Sequence, residues 1–294
     1  MGAYTITLDE LNALDEASFV NALDGVFERA PWVAAEAARL RPFATVTQLH
    51  DAMTRAVGRK MPDQQLAFLN AHPTLGGNEA KAGAVTTESA REQAGLGVLS
   101  TTGDEARAFA ALNASYLAKF GFPFIICARR HTKPSMLGAL RERMASTRDQ
   151  EIASALAEIG HITRLRLVDR VTGAGLPRVM GRLSTHVLDT HAGVPAQGVE
   201  VELFEYGQPQ RLAAASTNAE GRTDSPLLAG APLRIGTYEL VFHMGDYYRG
   251  RAVLGKGTPF LDKVCVRFGI SEPESHYHVP LVATPWSYST YRGS

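Results

Sequence analysis

A histidine set directly before a proline, His72-Pro73, and a hydroxyl, a carboxylate and an amide at Ser89, Glu92 and Gln93 make the first group of residues able to do acid-base chemistry. The proline biases His72 away from helical geometry, so the imidazole is expected where a helix ends and a loop begins. Ser89, Glu92 and Gln93 are spaced i, i+3 and i+4, which puts all three on one helical face. Further along, Arg164 and Arg166 lie on one predicted helix, about 200° apart at roughly 100° per residue, so one of them faces a given pocket. Arg166 is the choice for binding a planar anion through a bidentate fork, with Arg164 the near alternative.

The second group lies near the C-terminus. His276 and His278 alternate with Tyr277 and so point to one side of an extended segment. His186, in Leu183-Ser184-Thr185-His186-Val187, Arg222, just after a glycine in a turn, and the tail Tyr291-Arg292-Gly293-Ser294 complete it. Hydrolysis at a carbonyl needs a base for water, donors for the developing oxyanion and an acid for the leaving group. Two imidazoles and a guanidinium supply these without a metal, and a nearby Arg222 disfavours a charged imidazole. The base is His278 or His186. A zinc site built from His186, His276 and His278 is the rival arrangement.

The elements that must carry these residues differ between the two halves. Thr7-Leu8-Asp9-Glu10 has capping-box form. Phe109, Leu112, Tyr116 and Leu117 follow helical spacing up to Gly121, and Ile152, Leu156, Ile159 and Ile162 form another apolar stripe. Beyond Asp169 short alternating runs take over, such as Val199, Val201 and Leu203, and Tyr238 to Phe242. The chain is therefore expected to be multidomain: an all-α bundle over 1–168, a linker over 169–182 around Gly173-Ala174-Gly175-Leu176-Pro177, and an all-β sandwich over 183–294.

Thirty basic residues balance thirty acidic ones in 294 residues, which argues against a nucleic-acid footprint or a polybasic membrane patch and favours a small ligand held by local charges. Cys127 and Cys265 are too far apart in sequence for a disulfide framework and are expected as buried, reduced thiols. Without a signal-peptide pattern or an apolar run of spanning length, the expected location is a bacterial cytoplasm, with no membrane partner.

Residues 180–294 resemble the 5-hydroxyisourate hydrolase branch of the transthyretin (prealbumin) family through Ser184-Thr185-His186-Val187-Leu188-Asp189, Asn218-Ala219-Glu220-Gly221-Arg222, His276-Tyr277-His278-Val279-Pro280-Leu281 and the terminal Tyr291-Arg292-Gly293-Ser294. The resemblance implies a sandwich assembling as a homotetramer, with His186, Arg222, His278 and Tyr291 catalytic and Ser294 closing the site; Glu220 stands where many relatives carry Asp. Residues 5–168 resemble 2-oxo-4-hydroxy-4-carboxy-5-ureidoimidazoline (OHCU) decarboxylase through His72-Pro73-x-Leu75-Gly76, Ser89-x-x-Glu92-Gln93, Phe120-Gly121-Phe122-Pro123-Phe124 and Arg164-Leu165-Arg166-Leu167; Thr74 departs from a common Asp. That resemblance implies His72, Glu92 and Arg166 as catalytic, with Pro73, Ser89, Gln93, Phe124, Ile125 and Ile126 contacting substrate and no cofactor, since the substrate ring itself delocalises the electron pair. The two implied reactions are consecutive steps of urate breakdown ending in S-allantoin. The competing expectation is a transthyretin-like carrier of small ligands with a helical adaptor.

Overall fold

The computed structural model describes residues 5–75, 88, 92, 104–251, 253 and 257–293, with no side-chain description for 104–106. Two compact units divide between Arg178 and Val179. No helix among the described residues is long and apolar enough to cross a membrane.

The first unit is built from helices α1 (Leu8–Ala13), α2 (Glu16–Ala22), α3 (Pro31–Ala38), α4 (Val46–Gly58), α5 (Pro62–Asn70), α6 (Asp104–Phe120), α7 (Lys133–Arg143) and α8 (Arg148–Val168). Local chemistry sets several of their starts. Thr7 and Glu10 form the capping box that the sequence predicts, with the Thr7 hydroxyl accepting from Glu10 N at 3.2 Å and Thr7 N donating to the Glu10 carboxylate at 2.9 Å. Thr147 with Gln150 does the same for α8. Gly121, at φ +78°, takes the left-handed conformation that ends α6 and turns the chain into the extended stretch 122–127.

That stretch is fixed from beneath. Arg143 donates from Nη1 to the Ile125 carbonyl at 2.9 Å and from Nε to the fully buried Glu151 at 2.7 Å, while its guanidinium lies over the Phe124 ring. The Tyr116 hydroxyl also donates to Glu151. Backbone N–H of Cys127 reaches Glu158 at 2.7 Å. A loop that presents backbone to a pocket is thus held by charged groups rather than by sheet pairing.

The segment expected as linker starts as part of this unit. Strand β2 (Val171–Thr172) pairs in parallel with β1 (Ile6–Thr7), and the Ala174 and Gly175 carbonyls accept from the backbone of Val46 and Thr47 at the start of α4. A Cβ on Gly175 would lie 2.6 Å from Thr45 Cβ, and one on Gly173 would lie 2.8 Å from Leu8 Cβ. These glycines permit close backbone packing, a different use from the flexible joint their composition implies.

The second unit is a β-sandwich. One sheet has the order β7 (Arg211–Ser216), β6 (Glu200–Glu205), β8 (Gly236–Phe242), β9 (Val264–Ile270), and the other β12 (Tyr288–Thr290), β11 (Leu281–Ala283), β4 (Val187–Asp189), β5 (Val194–Pro195). Strand β10 (His276–His278) pairs with β3 (Arg182–Ser184) in parallel, and β11 continues that pairing with β4. The two long strands are therefore interrupted side by side, one at Thr185-His186 and the other at Val279-Pro280, where proline has no N–H to give. Helix α9 (Met244–Gly250) is tied to β4 because Tyr247 donates to the buried Asp189 carboxylate at 3.0 Å. Leu183, Val187, Val201, Leu203, Leu240, Phe242 and Leu281 fill the interior, alternating with polar residues as a half-wet sheet requires. Cys265 points outward on β9 between buried Val264 and Val266, so it is exposed and not buried as expected; strand alternation decides its face. Cys127 is buried, and burial pushes its thiol up to about 12.

Candidate active sites

In the helical unit one cavity is lined by His72, Pro73, Leu75, Glu92, Phe124, Ile125, Ile126, Ala128, Ile162 and Arg166. His72 follows the end of α5, and its backbone N–H closes on Leu69 O at 3.2 Å. Its Nδ1 lies 3.1 Å from the Phe68 carbonyl. A carbonyl only accepts, so Nδ1 carries the hydrogen and the neutral ring keeps its lone pair on Nε2. The Phe68 ring meets the imidazole edge-on at 5.0 Å between centroids, which fixes its tilt. Burial, with the positive charge of Arg166 adding to it, pushes His72 down to about 4 despite the opposing pull of Phe68 O and Glu28.

Arg166 projects from α8 one turn after Ile162, which places both on the pocket side. Its Nε and Nη2 grip the two oxygens of Glu92 at 3.0 and 2.7 Å, a bidentate fork. Nη1 donates to the Gly25 carbonyl and to Glu28, each at 3.0 Å. The guanidinium is buried, yet its two acidic partners hold its proton above the usual arginine range. Arg164 is turned to a different neighbour, with Nη2 3.1 Å from His161 Nδ1. Ser89 and Gln93 lie outside the described residues. Glu28 was missed by the sequence reading; its only trace there is a carboxylate inserted between Val26-Phe27 and Ala30, an apolar stretch that a solvated glutamate would not need.

The histidines of this unit share one electrostatic condition. His50, His72, His131 and His161 are all pushed down to about 4, with burial as the leading cause in each. Their folded values lie below the unfolded value of about 6.5, so the unfolded chain takes up these protons first and stability is lost as pH falls from about 6.5 towards 4. The helical signal in circular dichroism should therefore melt at progressively lower temperature between pH 7 and pH 4.5, His50, His72 and His131 each contributing up to about 1.4 kcal/mol per pH unit and the more exposed His161 less. A melting temperature flat across that window would contradict it.

In the sandwich, His186 sits at the strand break and Arg222 opposite it, joined by a backbone bridge in which Val187 N donates to Gly221 O at 2.8 Å. The Asn218 side chain shapes this turn by accepting from the N–H groups of Glu220 and Arg222, each at 3.1 Å. His276 and His278 flank buried Tyr277, with ring centroids 6.0 Å apart, and Ser184 lies between the two rings. Burial and the Arg222 charge lower both His186 and His278, His278 being lowered further by His276, His186 and Arg182. Both rings therefore lean to the neutral form.

Glycine makes room for each ring. A Cβ on Gly221, at φ +70°, would lie 3.1 Å from the His186 ring, and one on Gly293 would lie 2.6 Å from Cδ2 of His278. Gly293 N donates to His278 O at 2.9 Å, so the tail is docked on the strand that bears the second histidine. Tyr291 is exposed in this chain. Ser294 lies outside the described residues. Among the described residues Glu200, Glu202 and His243 bring their ligand atoms within 4.8 Å of one another, whereas His186, His276 and His278 do not form such a group. In that set Glu202 is already paired with Arg211 at 2.6 Å and His243 at 2.9 Å.

The fold and the two clusters define a two-domain protein with a helical unit and a transthyretin-type sandwich, each bearing its own histidine-arginine site. A family model described as OHCU decarboxylase matches residues 12–168, and one described as HIUase/Transthyretin family matches residues 183–293. The chain is 50% identical over 126 residues to a 5-hydroxyisourate hydrolase of Pseudomonas aeruginosa, covering 42% of this chain and 100% of that protein. It is 35% identical over 167 residues to a 2-oxo-4-hydroxy-4-carboxy-5-ureidoimidazoline decarboxylase of Haloferax volcanii, covering 57% of this chain and 97% of the relative. The crystal structure of an (S)-allantoin synthase aligns with a TM-score of 0.54 and 34% identity over 98% of this chain and 100% of that one. The chain belongs to the OHCU decarboxylase family through its first unit and to the HIUase/transthyretin family through its second.

Proposed function

We propose that the chain is a bifunctional enzyme of urate breakdown: its second unit hydrolyses 5-hydroxyisourate to OHCU, and its first unit decarboxylates OHCU to S-allantoin. One activity is assigned to residues 1–168 and the other to 183–294. The observation that carries the reading is the pocket where His72, Glu92 and Arg166, far apart in sequence, converge with Phe124 to Ile126.

Decarboxylation leaves an electron pair that the imidazoline ring itself can hold, so the protein has to align the carboxylate and handle one proton on one face. His72, neutral with its lone pair on Nε2, is the proton-handling group. Arg166 and Glu92 place charge and hydrogen bonds around the ring, while Ser89 and Gln93 bind its polar edge. In the hydrolase site His186, Arg222, His278 and Tyr291 are catalytic, and Ser294 closes the pocket. We assign the assembly as a homotetramer through the sandwich and the location as cytoplasmic, with small molecules as the only other partners.

The test uses freshly generated 5-hydroxyisourate, followed by its decay in the ultraviolet and by the optical activity of allantoin. His72→Ala should abolish the second step and spare the first, and His278→Ala should do the reverse. Decay and optical rotation no faster than in buffer for the unmodified chain would end the reading.

A further inference from the structure

The hydrogen bonds around His278 form a one-way relay. Strand register puts Arg182 beside His276 and Ser184 beside His278, so four side chains line up across the β3–β10 pair. Arg182 Nη2 lies 3.2 Å from His276 Nδ1, His276 Nε2 lies 2.7 Å from Ser184 Oγ, and Ser184 Oγ lies 2.9 Å from His278 Nδ1. A guanidinium only donates, so His276 Nδ1 must be the accepting nitrogen. The neutral His276 ring then carries its hydrogen on Nε2 and donates it to Ser184. The single hydroxyl hydrogen of Ser184 is left to point at His278 Nδ1, which accepts. The hydrogen of neutral His278 is thereby forced onto Nε2.

We propose that Arg182, His276 and Ser184 are positioning residues that fix His278 as an Nε2–H donor, which makes His278 an oxyanion-stabilising group rather than the base of the hydrolase. The proposal rests on the hydrolase reading of this site. The base is then His186. Its Nε2 is buried with no hydrogen-bond partner among the described residues, and an orphaned buried ring nitrogen calls for a functional explanation. The base role requires the His186 hydrogen on Nδ1, and the Glu220 carbonyl beside the ring favours a proton there. In this assignment the two histidines take complementary states, His278 with its hydrogen fixed on Nε2 by the relay and His186 with its lone pair there.

The chemistry balances with one mobile proton. His186 Nε2 takes a proton from water as the oxygen bonds to the lactam carbonyl carbon, and the carbonyl oxygen becomes an oxyanion held by His278 Nε2–H and Arg222. As the carbon–nitrogen bond breaks, the protonated His186 gives that proton to the departing nitrogen. His278 makes and keeps a hydrogen bond throughout, as a neutral imidazole can, and never has to become an imidazolate.

Two measurements test this on the full chain. With 15N-labelled histidine, long-range proton–nitrogen correlation should show His278 with a protonated Nε2 and a bare Nδ1; a protonated Nδ1 in the unmodified protein overturns the relay whether or not the chain hydrolyses 5-hydroxyisourate. In kinetics, Ser184→Ala should lower hydrolase kcat about tenfold and Ser184→Thr should restore it. His276→Gln keeps a donor towards Ser184 and should stay within about threefold of the unmodified chain. His276→Glu reverses the direction of the relay and should cost about 100-fold, the scale of a lost oxyanion donor. Decarboxylase activity is the folding control in every variant. Hydrolase rates of Ser184→Ala and His276→Glu both equal to that of an active unmodified chain would overturn the positioning role while leaving the hydrolase reading standing.

Discussion

Replacing Arg166 by lysine is expected to lower decarboxylase kcat/KM about 1000-fold, or about 4 kcal/mol, while the hydrolase keeps its rate. The size of the effect follows from how many bonds one guanidinium makes. Nε and Nη2 hold both oxygens of Glu92, and Nη1 holds Glu28 and the Gly25 carbonyl. Lysine keeps the charge but offers a point donor, so it cannot serve two carboxylates and a carbonyl in fixed directions. Glu28 is 1% exposed, and weakening one of the charge-assisted hydrogen bonds to a carboxylate this deeply buried is costly. A protonated Glu28 would also withdraw the negative charge that partly offsets Arg166 at His72. Arg164→Lys is the control: its contact with His161 is outside the pocket, and the decarboxylase should change less than about twofold. Steady-state rates of both activities in the two variants decide the matter, and similar losses in Arg164→Lys and Arg166→Lys would refute the distinction between them.

The contrast between Glu92 and Glu28 shows where sequence reading stops. In the sequence Glu92 stands out only in company with His72 and a distant arginine, and Arg166 is preferred to Arg164 because their two-residue offset lets one of them face a pocket. Glu28 belongs to a loop where Arg29 has φ +49°, and nothing in its local pattern tells which distant arginine it meets. Its partner is decided by the packing of α8 against the 24–28 turn, a tertiary fact. The same limit explains Gly173 and Gly175. Composition marks a joint there, but a joint and a tight backbone contact use the same residue, and only the position of Leu8 and Thr45 distinguishes them. In the sandwich, period-two alternation placed His276 and His278 on one face without further help. What it could not reveal was the hydroxyl between them: Ser184 reaches both rings because β3 and β10 run parallel in one particular register.

Gly293→Ala should lower hydrolase kcat/KM about 100-fold with the decarboxylase unchanged. A methyl at this position would start 2.6 Å from Cδ2 of His278 and 3.2 Å from both Cβ and Cγ, so either the ring or the tail must move. The ring is held at its other edge by Ser184, and the tail by Gly293 N on His278 O at 2.9 Å, which leaves little freedom to either. A shift of about 1 Å at a group that must meet a developing oxyanion is enough for losses near 100-fold. This glycine separates crowding from backbone strain, because its φ is not in the left-handed region and alanine can adopt its conformation. Gly221 offers no such separation: at φ +70° any side chain is strained before it reaches His186. If the methyl displaces the ring, Gly293→Ala should also loosen the Ser184 contact and let His278 populate its other tautomer, visible in the same nitrogen spectrum. Full hydrolase activity in Gly293→Ala would mean that the tail, and not the ring, yields, and would remove the terminal tetrapeptide from the determinants of His278 geometry.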